Sequence, residues 1–239
     1  MVSARKTLGA GSLWGPEEPG TRGPKPGLTT ARIAEAAIAI ADAEGLGAVS
    51  MQRVAKAFGF TTMSLYRYLP GKAELVALMF DTAMGPPPDL SAEDGWRAKL
   101  RAWAIAISAL IHRRPWGLEV LNQLRIMGPN ELGWLEAALG ALADTGLQGA
   151  AALDAIFALT GHVRIAAQYT ARQPEGAGGV TPEAWNAAVA ATVRDRPDAY
   201  PALHAVISAG VFDSAVADEL VSGVELILDG IAARIASRG

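Results

Sequence analysis

Residues 49–72 read VSMQRVAKAFGFTTMSLYRYLPGK, and this stretch decides the fold. Ser50 is a good N-cap, and Val54, Ala55 and Phe58 follow it at helical spacing as the apolar side of a short helix. Gly59 ends that helix. Gly59, Phe60 and Thr61 make a three-residue connection, and Thr61 is placed to cap a second short helix over residues 62–68, with Leu65 and Leu69 as core residues. Pro70-Gly71 stops it. Two short helices joined by a glycine-led tight turn are the ingredients of a helix-turn-helix. The same stretch carries Arg53, Lys56, Arg67 and Lys72 and no acidic residue.

Working outward, Ile33, Ala37, Ile40 and Ala41 predict a helix from residue 29 to a stop at Gly45. On the other side, Leu75, Leu78 and Met79 predict a longer helix over residues 72–84, closed by Gly85 and three consecutive prolines. Residues 29–85 are therefore expected to form one small helix-turn-helix domain. Residues 1–28 have Gly and Pro at such close intervals that a flexible basic arm is expected there. Residues 90–239 are expected to form a second, larger domain. Its helices are predicted over 91–113, 129–145, 149–171, 182–195 and 213–237, with shorter pieces near 115–121 and 200–209 and a Gly-rich loop over 172–181. The fold class read from this pattern is all-α.

The run from Val49 to Lys72 resembles the DNA-binding signature of the tetracycline-repressor (TetR) family. The matching features are Ser50, Val54-Ala55, Gly59, and above all Leu65-Tyr66-Arg67-Tyr68 followed by Lys72. The resemblance spans residues 29–85. It implies an N-terminal domain that reads DNA and a C-terminal helical bundle that binds a ligand and dimerises through its late helices. Family members often have Arg where this chain has Gln52, so the resemblance leaves open whether Gln52 or the adjacent Arg53 reaches a base.

The chemistry of these residues points the same way. A helix fits the major groove with its N-terminal residues at the base edges. Here those residues are Thr61, Thr62, Met63 and Ser64: hydroxyls able to meet donors or acceptors, and an apolar chain suited to a thymine methyl. Tyr66, Tyr68, Arg67 and Lys72 suit phosphates, and the family resemblance implies further DNA contacts from Ser50, Gln52 and Arg53 at the start of the preceding helix. Arg22 and Lys25, just ahead of the domain, are candidates for a minor-groove contact. The net charge of −3 conceals a division: residues 1–72 hold nine Lys/Arg and five Asp/Glu, a net of +4, which leaves −7 for the rest. A basic lobe on an acidic body is the footprint of a protein that presents one end to phosphate, and with the helix-turn-helix the expected partner is double-stranded DNA.

In the larger domain, Val216, Leu220, Val224, Ile227, Leu228, Ile231 and Ile235 recur at steps of three and four, and residues 149–171 are apolar nearly all round. Helices buried on more than one side need several neighbours, and a second copy of the chain in a homodimer is one of them. Polar and aromatic residues inside this apolar region are candidates for a small-molecule effector pocket: Trp103, His112, Trp116, Trp134, Phe157, His162, Arg164, Gln168 and Tyr169.

Several function classes are disfavoured. Without cysteine there is no disulfide framework and no thiolate chemistry. Three widely spaced histidines make no metal motif, and no phosphate loop or nucleophile elbow is present, so no cofactor, metal or catalytic residue is expected. No apolar run is read as reaching the ~18–20 residues that span a bilayer, and no secretory leader is read at the N-terminus; a cytoplasmic protein with no membrane partner is expected. The competing reading is a helical protein-interaction module that does not bind DNA, against which the acid-free stretch 49–72 argues.

Overall fold

The computed structural model describes residues 11–14, 28–170, 181–210 and 217–237, and every regular element among them is helical. In chain order these are α1 (Gly11–Trp14), α2 (Thr30–Glu44), α3 (Met51–Ala57), α4 (Thr62–Leu65), α5 (Lys72–Met84), α6 (Gly95–Arg113), α7 (Gly117–Leu121), α8 (Pro129–Ala141), α9 (Ala150–Thr170), α10 (Pro182–Arg194), α11 (Pro201–Ser208) and α12 (Ala217–Ala236). Short 3-10 turns follow α2 at Leu46–Ala48 and α8 at Ala143–Thr145.

Local chemistry sets the boundaries. Thr29 and Ser50 cap α2 and α3 by accepting the backbone N–H groups of Arg32 and Arg53, each at 3.2 Å. At the end of α3, Gly59 (φ 69°) donates to Lys56 O and Phe60 donates to Ala55 O, both at 3.0 Å. This paired closure needs a left-handed residue, which glycine supplies without strain. Thr61 departs from expectation: its hydroxyl takes no backbone N–H and lies 3.1 Å from the Ser64 hydroxyl. The helix expected over 62–68 ends at Leu65, and turns carry the chain through Tyr68, with Tyr68 N and Leu69 N both donating to Leu65 O. Pro70 favours extended backbone before it, which opposes a longer helix. The helix expected from residue 91 starts at Gly95, after Asp94.

Two apolar clusters organise the chain. The head cluster joins α2, α3, α4 and α5 through Ile33, Val54, Leu65, Leu69, Leu75 and Met79, and it also takes Trp116 and Val120 from around α7. The body cluster joins α6, α8, α9 and α12 through Leu100, Trp103, Leu142, Ile156, Leu159, Val163 and Leu228. Each fully buried side chain of this size contributes roughly 1.5–3 kcal/mol relative to exposure. α5 is common ground, since it packs on α2, α7 and α8.

Two sequence expectations need correction here. Within the segment expected to be a flexible arm, Gly11–Trp14 is helical: Leu13 is buried in the head cluster, and Trp14 Nε1 donates to Met127 O at 3.3 Å. Leu13 and Trp14 hold this single helical turn against its neighbours. The stretch Ala150–Gln168 is, by length and hydropathy, long and apolar enough to cross a membrane. In this fold its Ile156, Leu159, Val163 and Ala167 are buried against the other body helices.

α6 and α12 are also tied by charge. Arg97 reaches Glu225 at 2.7 Å and Asp229 at 2.6 Å, and Arg101 bonds the other oxygen of Glu225. The hydrogen bonds from Arg101 and Arg97 hold the Glu225 carboxyl down at about 2, against an ordinary 4.5. A lowered carboxylate adds stability above its unfolded value and loses it as pH falls through the folded one. The thermal midpoint should therefore drop between about pH 4.5 and 2. In Glu225→Gln that part of the drop should disappear, and melting curves across this range compare the two; identical pH dependence would contradict it.

Candidate functional site

Around the glycine turn, the structure separates core from surface within a few residues. Leu65 and Leu69 are fully buried. Met63 is 74% exposed and Tyr66 46%, and Gln52, Arg53, Thr61, Arg67 and Lys72 are exposed as well. Thr62 and Ser64 are half-buried. Tyr68 is half-buried against the head cluster, so the two tyrosines divide into one that packs and one that faces out. The Ser50 hydroxyl is engaged as the cap of α3. Arg53 is paired with Glu44 of α2, an acid from outside the acid-free stretch. Exposed pairs of this kind are worth little, so a phosphate could take its place. Arg22 and Lys25 lie outside the described residues.

Phe60 is 48% exposed, and the sequence reading passed over it as part of the connection. The available signal was a large aromatic inside a tight turn, where glycine and polar residues are usual.

The expected effector residues are dispersed. Trp103 Nε1 donates to Trp134 O at 2.8 Å and Trp134 Nε1 donates to Gly85 O at 3.0 Å, so both buried indoles have structural partners. His162 Nε2 lies 3.1 Å from Leu220 O, and its ring covers Gly223 at an α9–α12 contact. Arg164 bonds Asn122 Oδ1. His112 is exposed, with Nδ1 2.7 Å from Ser108 O. Phe157 is 58% exposed and Gln168 is exposed. The Tyr169 side chain lies outside the described residues.

Among the predicted residues whose side chains are described, Trp116 alone lines the cavity found between α5, α6, α7 and α9. That cavity holds about 40 Å³ and is walled by Phe80, Met84, Ile107, Ile111, Leu121 and their neighbours. Arg114 and Thr160 are the polar members of its wall. Thr160 spends its hydroxyl on Ile156 O, at 2.8 Å. Drug-sized ligands occupy roughly 300 Å³ or more, so one fits here only if the walls move, and one wall is α5.

Two polar junctions fasten α5 and the head to the body. In the first, Trp116 Nε1 donates to Asp42 Oδ1 of α2 at 2.7 Å, and Arg114 Nε reaches Asp42 Oδ2 at 3.4 Å. In the second, Asp81 of α5 accepts Glu131 N at 2.9 Å and Asn130 Nδ2 at 3.1 Å, which caps α8 from another helix. Burial pushes the Asp81 carboxyl up, and these hydrogen bonds oppose the shift. Arg125 closes the junction, 2.7 Å from Glu131 and over the Phe80 ring at 4.5 Å. Sequence reasoning missed Asp42, Asp81, Arg114 and Arg125, because no local spacing announces contacts across dozens of residues.

Comparison with known proteins bears on this arrangement. The family model described as "Bacterial regulatory proteins, tetR family" matches residues 27–79, and that described as "Tetracyclin repressor-like, C-terminal domain" matches residues 87–235. The chain belongs to the TetR family. It is 39% identical over 232 residues to the HTH-type transcriptional repressor DrrR1 of Streptomyces coeruleorubidus, covering 95% of this chain and 85% of that one. An HTH-type transcriptional regulator of Saccharopolyspora erythraea is 29% identical over 197 residues, covering 81% of this chain and 80% of that one. The fold matches that of apo ActR from Streptomyces coelicolor with a TM-score of 0.75 at 22% identity, over 88% of this chain and 99% of ActR. ActR in complex with actinorhodin matches with a TM-score of 0.75 at 23% identity, over the same shares. As a TetR-family protein the chain is a ligand-responsive DNA-binding regulator and not an enzyme, which sets aside the interaction-module alternative.

The Asp81 cap leaves no room for a side chain at position 128: a Cβ on Gly128 would lie 2.2 Å from Asp81 Cγ. Gly128→Ala should cost about 2–4 kcal/mol, the sum of overpacking and a lost cap. Chemical denaturation reads this as a lower midpoint. An unchanged midpoint would mean that Asp81 does not hold α8.

Proposed function

We propose that this protein is a cytoplasmic homodimeric repressor that binds an inverted-repeat duplex and is released when a small molecule enters the cavity beside α5. The observation that carries the DNA part is the exposure of Met63 and Tyr66 on either side of fully buried Leu65. Large apolar and aromatic side chains with no packing role, just past a glycine turn in an acid-free stretch, suit a major groove and its thymine methyls. In this reading α4 enters the groove, Thr61, Thr62, Met63 and Ser64 meet base edges, and Tyr66, Arg67 and Lys72 hold phosphates. Arg53 exchanges Glu44 for a phosphate, with Gln52 beside it, while Ser50 and Tyr68 contribute from the rim. Arg22 and Lys25 add minor-groove contacts.

Repression is favoured over activation by the similarity to a named repressor, DrrR1. Release by a small molecule is favoured by the cavity wall that α5 shares with the head, and by the structure of ActR with actinorhodin. The dimer rests on Phe157 and Ile165 of α9 and Val221 and Leu226 of α12, which are between 48% and 73% exposed on helices otherwise built into the core. A second copy would cover them.

Tyr66→Ala and Lys72→Ala should weaken binding to all duplexes alike, and Lys72→Ala, which removes a charge, should also reduce the slope of log affinity against log salt while Tyr66→Ala leaves it unchanged. Thr62→Ala and Met63→Ala should instead change preference at one or two base pairs, by ~1–3 kcal/mol each. Fluorescence anisotropy on random and selected duplexes separates the two classes. Undiminished affinity in both Tyr66→Ala and Lys72→Ala would contradict the placement of α4.

A further inference from the structure

Arg53 lies in the first turn of α3, and its partner Glu44 is the last residue of α2. The helix dipole disfavours a cation at the N-terminal end and an anion at the C-terminal end. Neither charge therefore serves its own helix, and the bond from Arg53 Nη2 to Glu44 Oε1 lets each offset the other. The pairing is selective. The stretch 49–72 holds four cations, Arg53, Lys56, Arg67 and Lys72, and among the described residues only Arg53 is paired with an acid. Its side chain is 41% exposed and that of Glu44 51%, so the pair sits at the surface, where a phosphate can compete for it. Asp42, the other acid in the last turn of α2, is spent on the body, where it accepts the Trp116 indole at 2.7 Å. Glu44 has no such duty to the fold, and Arg53 is its partner among the described residues.

We propose that Glu44 is a specificity-determining residue, which holds the Arg53 charge back from phosphates met at random and yields it at the correct site. This rests on the reading of the glycine turn and its flanking helices as the DNA-binding surface. Binding to random sequence is a count of neutralised phosphates, since each one releases counterions. A guanidinium already bonded to a carboxylate adds no net charge to that count. On the correct site, base contacts from α4 fix the register, and Arg53 then meets one phosphate in one fixed geometry. That contact repays the loss of a weak surface pair. Glu44 thus lowers random binding by more than it lowers specific binding. An acid acting only through the general field of the head would lower both alike, with or without Arg53.

Fluorescence anisotropy across a salt series tests this with the full-length protein and two probes, a duplex of random sequence and the duplex recovered by selection from a random library. Glu44→Gln should raise affinity for the random duplex severalfold and steepen its slope of log affinity against log salt by about 0.9 for each subunit bound. On the selected duplex the slope should stay as it is, because Arg53 already meets a phosphate there. Arg53→Gln should do the reverse, flattening the slope on the selected duplex and leaving the random one unchanged. In the variant that carries both changes, the gain on the random duplex should vanish. Both side chains are exposed, so these variants keep the fold. An equal gain on the two duplexes in Glu44→Gln, or a gain on the random duplex that survives Arg53→Gln, would overturn the proposal while leaving DNA binding intact. A protein that bound no duplex would overturn the DNA reading and the proposal with it.

Discussion

Asp81 sits in the middle of α5, the helix that leads out of the DNA-reading head, and spends its carboxylate on the first turn of α8, a body helix. α8 begins at a glycine and two residues that offer no side-chain cap of their own, so its free N–H groups must be satisfied from elsewhere. Gly128 is the only kind of residue that lets Asp81 come close enough. Arg125 then neutralises the neighbouring Glu131 and covers Phe80, whose ring forms a wall of the cavity. A rotation of α5 that opened the cavity would therefore be resisted or guided by this buried network, and interactions of this kind have few intermediate states.

The second fastening, between Asp42 and the Arg114–Trp116 pair, has a different character. Asp42 is partly exposed and its ion pair with Arg114 is long, so the junction is the weaker of the two. The cavity lies against both, since Phe80 comes from the helix that carries Asp81, and Arg114 and Trp116 grip Asp42 directly. On the proposed function, a ligand in the cavity would act on the head through one firm pivot and one breakable tie. Reciprocity follows from linkage: whatever ligand favours the moved head must lose affinity when DNA holds the head in place, by a coupling typically of ~1–3 kcal/mol.

Much of the head was legible in the sequence because its determinants are local. Ser50, Gly59, Leu65 and Leu69 act on neighbours within a turn or two, and helical spacing alone sorts them into cap, turn and core. The places where reading failed are those where partners are remote. Asp42 and Trp116 are separated by 74 residues and Asp81 and Glu131 by 50, and no periodicity reports such pairs. The aromatic residues read as effector walls illustrate the same limit. Trp103 and Trp134 are aromatic and buried, but their N–H groups are claimed by Trp134 O and Gly85 O, and only the fold reveals where an indole points. Gly11–Trp14 erred in the opposite direction, since composition argued against structure while Leu13 had a core to join. The apolar run Ala150–Gln168 shows that length and hydropathy describe a central core helix as well as a membrane span.

The central claim is that two copies of this chain present α4 to successive turns of one duplex. Selection of bound sequences from a random duplex library with the full-length protein tests it most directly. The account predicts enrichment of an inverted repeat whose half-sites are spaced by whole helical turns, about 10 base pairs or a multiple, as a two-fold protein with one reading helix per copy requires. Recovery of no enriched sequence, or of a single half-site without a symmetric partner, would contradict it.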